Sequence, residues 1–153
     1  MRPRTVAEAC ERGHSHEAFN KAMGEFLDEF YSASSDAERT AMLADEPALF
    51  EDKNYNALVG GIAEYLYKRW TPDVPPHWIG TPERYLEEPW FPSAMNQPGL
   101  KEYLTYCSPS EFKSRNIMTD AQPLRRASQR GKSSRVCQSS TRPAVGDRWS
   151  PAR

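Results

Sequence analysis

Three carboxylates within six residues, Glu83, Glu87 and Glu88, are groups in this 153-residue chain that could act as acid and base. A catalytic pair needs surroundings that push two pKa values apart, and glutamates crowded on one short helix read instead as a solvated face. Cys10, His14 and His16 are soft-metal ligand types, but two histidines one residue apart do not share a helical face, and no second ligand cluster lies near them. His77, beside Trp78, reads as a packed or solvent-facing loop residue. The serines sit in no GxSxG, and no GxxxxGK(S/T) loop, HExxH pair or dinucleotide fingerprint occurs. No catalytic residue, metal site or cofactor is expected.

The chain is better supplied for recognition. Glu87-Glu88-Pro89-Trp90-Phe91-Pro92 cannot be a helix interior, because proline lacks the amide donor and restricts the residue before it. Trp90 and Phe91 therefore sit on a stiff turn that either plugs a core or offers a rigid aromatic anchor; in a chain with few large aliphatics, such a knot is more often core. Glu87 and Glu88 give the turn an acidic edge. Arg84, Lys113, Arg115 and Asn116 supply a basic and polar accompaniment, either a solvated face or a contact for an acidic partner or nucleic acid. These eight residues are the candidate partner-binding set. Arg125-Arg126-Ala127-Ser128 also has the form read by basic-directed kinases, a short motif that occurs often by chance.

Helices have to position that set. Thr5-Val-Ala-Glu8 and Ser35-Asp-Ala-Glu38 have capping-box spacing, in which hydroxyl and carboxylate satisfy amides left free at a helix start. The first predicts a short helix ending near Gly13; the second predicts one carrying Ala41, Met42 and Leu43 that Pro47 stops. Between them Ser15 caps the clearest amphipathic helix, where Ala18, Phe19, Ala22, Met23, Phe26, Leu27, Phe30 and Tyr31 recur at three- and four-residue steps. Lys53 to Trp70 keeps the same period, with Glu64 and Lys68 paired four apart and Gly60-Gly61 as an anomaly. Each glycine costs about 1 kcal/mol against alanine in a helix interior, so close approach of another helix, or a partner's side chain, is expected there.

Thr81 as cap and Pro82 at the first helical position predict a one- to two-turn helix with Tyr85 and Leu86 facing inward, ended by Pro89. Leu100, Tyr103, Leu104 and Cys107 mark a further helix. Ser108-Pro109-Ser110-Glu111 combines cap, N1 proline and N3 glutamate for the next, from which Phe112 and Ile117 pack while Lys113 and Arg115 face out. Apart from a short extended piece near Ile117-Met118, no segment alternates as a strand does. The fold class is thus all-α: one compact domain over residues 1–123, of about six to seven helices, followed by a disordered basic tail over 124–153.

Charge divides at the same place. Up to Pro123 the chain has 12 Lys/Arg against 20 Asp/Glu, and after it 8 against 1. An acidic body argues against nonspecific DNA binding by the fold itself, while the tail could touch nucleic acid or an acidic surface. Three scattered cysteines suggest neither a disulfide framework nor a zinc ribbon, so a reducing cytoplasm is expected. No apolar run nears the roughly 18 residues of a membrane span, and the start lacks the apolar core of a secretory signal.

Pro82 to Phe91, PERYLEEPWF, and Ser108 to Ile117, SPSEFKSRNI, resemble the paired ERFLEEPWF and SPxAFRRRNIF segments of a family of small bacterial helical proteins. The order of FLDEFY, NALVGGIAEYLYKRW and WIGTPERYLEEPWF extends the likeness over about Thr5 to Ala121. Two departures stand out: Lys113-Ser114-Arg115 replaces three arginines, weakening a basic-cluster role, and Met118-Thr119-Asp120 replaces an aliphatic run. The resemblance implies one half of a toxin–antitoxin-type gene pair, with a cognate protein partner that in some cases is a nucleotidyltransferase-like toxin. The expected function is non-enzymatic and antitoxin-like. The alternatives are a nucleic-acid-binding regulator using the tail with Lys113 and Arg115, and, more remotely, a hydrolase or transferase using Glu83 to Glu88.

Overall fold

The computed structural model describes residues 1–92 and 97–126. They form six α-helices: α1 (Val6–Arg12), α2 (His16–Ser32), α3 (Asp36–Ala44), α4 (Lys53–Trp70), α5 (Leu100–Cys107) and α6 (Ser110–Lys113), with 3-10 turns at His77–Gly80 and Pro82–Arg84. The first four start where local chemistry places them. The Thr5, Ser15 and Ser35 hydroxyls each accept from an amide three residues on, at 3.1 Å, and the Asp52 carboxylate caps α4. In both capping boxes the glutamate reaches one residue further back than expected: Glu8 takes the Arg4 amide and Glu38 the Ser34 amide.

Helix α4 is the axis of the fold. It packs against α3, α6 and both 3-10 turns, while α1 packs on α2 and α3. The stripe of α2 from Phe19 to Tyr31 meets Ala57, Val59, Ile62, Ala63 and Leu66 of α4 in one core. At Gly60 and Gly61, α4 is approached too closely to admit a side chain without a shift. A Cβ on Gly60 would lie 2.7 Å from Arg115 Nη1 and 2.9 Å from Arg84 Cβ, and one on Gly61 would lie 2.9 Å from the Phe112 ring. Close approach within the fold therefore offsets the helical cost of the glycines.

Two expected helix starts are corrected. Pro82 opens only a single 3-10 turn, and the Thr81 hydroxyl donates to the Trp78 carbonyl instead of capping it. From Tyr85 the chain leaves the helix, with a bend at Glu87-Glu88, and the Leu86 and Trp90 amides donate to the carbonyls of Arg115 and Asn116. Tyr85 consequently faces outward, 40% exposed. Ser108 does not cap α6 either: its hydroxyl lies 2.5 Å from the Leu104 carbonyl and accepts from the Thr119 amide at 2.8 Å. Glu111, placed by its sequence as an N3 capper, turns to Arg69 and to the Ser110 hydroxyl.

The extended piece at Ile117 forms an isolated parallel bridge to Trp90. Beyond it, Leu124 is buried, its carbonyl accepts from the Tyr31 hydroxyl at 3.0 Å, and Arg126 pairs with Asp28. Packing onto α2 thus continues three residues past Pro123. The remainder of the basic tail, 127–153, for which disorder is expected, lies outside the described residues. Among those described, no helix is long and apolar enough to cross a membrane.

Candidate functional site

The eight candidate residues converge around the pairing of 84–90 with 115–118, but they divide into an inner frame and an outer edge. Two arginines make the frame. Arg115, 1% exposed, donates from Nη1 to the Arg84 carbonyl and from Nη2 to Glu64 Oε1, both at 2.9 Å. Its guanidinium lies against Gly60 on one side and 4.3 Å from the Tyr85 ring centroid. Glu64 also holds Lys68 at 2.9 Å.

Arg84 is fully buried. Its Nη2 donates to the Pro47 carbonyl at 2.7 Å, its Cζ sits 5.0 Å from the Trp78 ring centroid, and the nearest carboxylate, on half-exposed Glu46, is 3.9 Å away. Burial pulls its guanidinium below the usual arginine value. Both arginines are corrections to the sequence reading, which put them at the surface under either interpretation. Gly60 leaves room for the flat guanidinium of Arg115 and for the Cβ of Arg84, and carbonyl and carboxylate oxygens satisfy the two guanidinium groups in part.

Asn116 belongs to the frame too. It adopts φ 64°, in the left-handed region that asparagine tolerates better than most residues, so the chain can turn out of α6 and run beside 84–90. Its side-chain amide donates to the Leu86 carbonyl at 2.8 Å.

The edge is Glu87, Glu88 and Lys113, all exposed, with Trp90 and Phe91 half-buried. Trp90 is pinned by its backbone, which donates to the Asn116 carbonyl at 2.7 Å and accepts from the Met118 amide at 2.8 Å. Its ring packs edge-on to Tyr55, with centroids 6.4 Å apart. Trp90 is therefore neither a fully enclosed core residue nor a free anchor. Its outer side lines a groove of about 370 Å³ between α2 and residues 119–126. At the groove's mouth His16 Nδ1 lies 2.7 Å from the Tyr55 hydroxyl, and Asn20 lies 3.1 Å from His16 Nε2.

Phe91 sits under Lys101 of α5, whose ammonium is 5.4 Å from the ring centroid. Helix α5 also presents Tyr103 and Tyr106, 59% and 86% exposed. The period of α5 puts Tyr103 on the packing stripe with Leu104 and leaves Tyr106 off it, yet both rings face out. Their spacing of three puts them on one side of the helix, which was the signal available. Of the metal-ligand types, Cys10 is enclosed, and burial pushes its thiol up to about 12, while His14 and His16 are exposed. Among the described residues no cluster of three His, Cys, Asp or Glu side chains could hold a metal ion.

The fold and this site define an all-α domain whose distinctive surface is a backbone-locked aromatic turn with an acidic edge. Comparison with family models, with curated proteins and with solved structures finds no match for this chain.

Proposed function

We propose that this chain is a non-enzymatic protein-interaction protein, the antitoxin-like member of a two-gene module, and that it binds a cognate protein through the surface around Trp90 and α5. One observation carries this reading: Trp90 is held by two backbone bonds to 116–118, and Arg84, Arg115 and Asn116 brace that pairing from beneath. A surface fixed in this way loses little conformational freedom on binding, so more of the contact energy appears as affinity. Half-buried Phe91 and the exposed rings of Tyr103 and Tyr106 are residue types favoured in interface cores, with Glu87, Glu88 and Lys113 as a polar rim. The toxin–antitoxin assignment itself derives from the resemblance of the Pro82–Phe91 and Ser108–Ile117 segments. The nucleic-acid alternative has less support, since Arg115, which it pairs with Lys113, is enclosed by the fold.

The test is co-expression with the product of the adjacent gene. A complex that survives about 0.5 M salt is expected, because exposed charges are screened there beyond a few ångströms. Phe91→Ala and Tyr106→Ala should each leave the unfolding midpoint nearly unchanged and weaken the complex about tenfold or more, the mark of an interface anchor. Relief of growth inhibition should be stoichiometric and should persist in Glu87→Gln and Glu88→Gln. Relief at strongly substoichiometric levels, abolished by either change, would mean catalysis and would end this reading.

A further inference from the structure

Among the described helices α5 is the least buried: of its eight residues only Leu104 is enclosed. Glu102 and Tyr106 lie one turn apart on its outer side, with Tyr103 next to them. Among the described residues no ring or cation lies over Tyr103 or Tyr106. The Lys101 ammonium over Phe91 sets this open helix face beside the aromatic turn. Charge selects what can cover the face. From residue 83 to 107 the exposed charged side chains are Glu83, Glu87, Glu88 and Glu102 against Lys101. None of the four carboxylates is in an ion pair among the described residues. Arg84 and Arg115, which would have offset them, are enclosed, and Lys113 on α6 is what remains exposed of the basic accompaniment. A second copy would set these carboxylates against themselves, and a nucleic acid would bring phosphates to them, so like-charge repulsion disfavours both.

The chain itself shows which group suits a tyrosine beside a carboxylate. The Arg115 guanidinium lies 4.3 Å from the Tyr85 ring centroid while it donates to Glu64. That of Arg69 lies 3.9 Å from the Tyr65 centroid while it pairs with Glu111. A guanidinium is flat and carries its donors at the edge, so it stacks on a ring and binds a carboxylate at the same time; an ammonium does this less well. We propose that the face formed by α5 and the turn at 87–91 takes an arginine-bearing surface of the partner protein. Its guanidinium groups stack on Tyr103 and Tyr106 and are held by Glu87, Glu88 and Glu102. This rests on the partner-binding reading above and adds the chemistry of the partner. The carboxylates draw the partner in and set the rate of encounter, whereas the stacked rings set how long it stays.

The full chain and the product of the adjacent gene are mixed in a stopped-flow instrument at about 50 mM and about 0.5 M salt. Glu87→Lys combined with Glu88→Lys should slow association about ten- to a hundredfold at the lower salt and little at the higher, with dissociation nearly unchanged. Tyr103→Ala combined with Tyr106→Ala should instead speed dissociation about tenfold or more. Arginines of the partner should be protected from phenylglyoxal in the wild-type complex, as read by mass spectrometry. A complex that forms while the charge-reversed chain associates as fast as wild type, or faster, overturns the proposal and leaves the partner-binding reading standing. No complex at either salt overturns both. Protection of Tyr106 from iodination in the free full chain, whether by a second copy or by residues 127–153, also overturns the proposal, because the face would already be occupied. If the variants do not fold, phenylglyoxal protection in the wild-type complex decides alone.

Discussion

Nη1 of Arg115 donates to the carbonyl oxygen of Arg84 at 2.9 Å, so the side chain of one buried arginine holds the backbone of the other. The bond ties the end of the 3-10 turn to the end of α6, and the pairing of Leu86 and Trp90 with 115–118 starts from it. Two like charges share this space because different groups compensate them: Glu64 for Arg115, and the Pro47 carbonyl with the Trp78 face for Arg84. Among the described residues Arg84 Nε and Nη1 and Arg115 Nε have no acceptor, so the frame is held at some cost in unsatisfied donors.

Arg115→Ala should therefore destabilise the protein by about 3 to 5 kcal/mol, since it leaves the Arg84 carbonyl without its donor and takes from Glu64 its buried partner, with Lys68 alone remaining. Arg115→Lys should recover only part of this, because a single ammonium cannot span both acceptors as the fork does. Lys113→Ala, two residues away and exposed, should stay within about 0.5 kcal/mol. Denaturant unfolding of the three variants provides the check. Equal effects at 113 and 115 would mean that Arg115 is not enclosed.

Gly60→Ala and Gly61→Ala test the packing against α4. Helix propensity alone would favour each by about 1 kcal/mol. The new Cβ would meet the Arg84 Cβ and Arg115 at position 60, and the Phe112 ring at 61. None of these is a free-swinging chain end, so overpacking, at about 1 to 3 kcal/mol, should win and both variants should unfold more easily. Gly80→Ala, where nothing lies within 4 Å, should be close to neutral. Thermal melts distinguish the signs.

Truncation should locate the end of the packed chain. A chain ending at Pro123 loses the Leu124 side chain, the bond from Tyr31 and the Arg126 fork, all of which a chain ending at Arg126 keeps. Burial of one leucine and one hydrogen bond together predict that the longer form is more stable by about 2 to 4 kcal/mol. Matching unfolding curves for the two would show that Leu124 and Arg126 do not dock.

Acid should weaken the fold through Glu111 and Asp28. Burial raises the Glu111 pKa, but hydrogen bonds from Ser110 and Arg69 outweigh it and the carboxyl ends below its ordinary value. Asp28 is lowered first by its bond from Arg126. A depressed folded-state pKa means stability that is present above the unfolded carboxylate range, near about pH 4, and is lost as pH falls through the folded values. Unfolding free energy should be level from neutrality to about pH 5 and then fall towards pH 3. Glu111→Gln should be less stable at pH 7 and show a shallower acid loss. A Glu111→Gln curve parallel to that of wild type would clear Glu111 as a source.

Only local features follow from the order of residues alone. Hydroxyl caps at Thr5, Ser15 and Ser35 and the apolar periods of α2 and α4 set helix starts and faces, because each depends on atoms within one or two turns. Gly60-Gly61 was legible as a close approach, though not what approaches. Long-range contacts set the remainder. Ser108-Pro109-Ser110-Glu111 satisfies every local rule for a helix start, yet Thr119 takes its serine and Arg69 its glutamate, because groups brought from 11 and 42 residues away offer better partners. Residues 85–88 leave their predicted helix, and Leu86 and Trp90 make backbone bonds to 115–118 that no local pattern encodes. Arg84 and Arg115 read as surface charge, since an arginine is buried only when acceptors from several distant segments meet around it. Glu64, Pro47 and the Arg84 carbonyl do so only after α4, the loop before it and the 3-10 turn have come together.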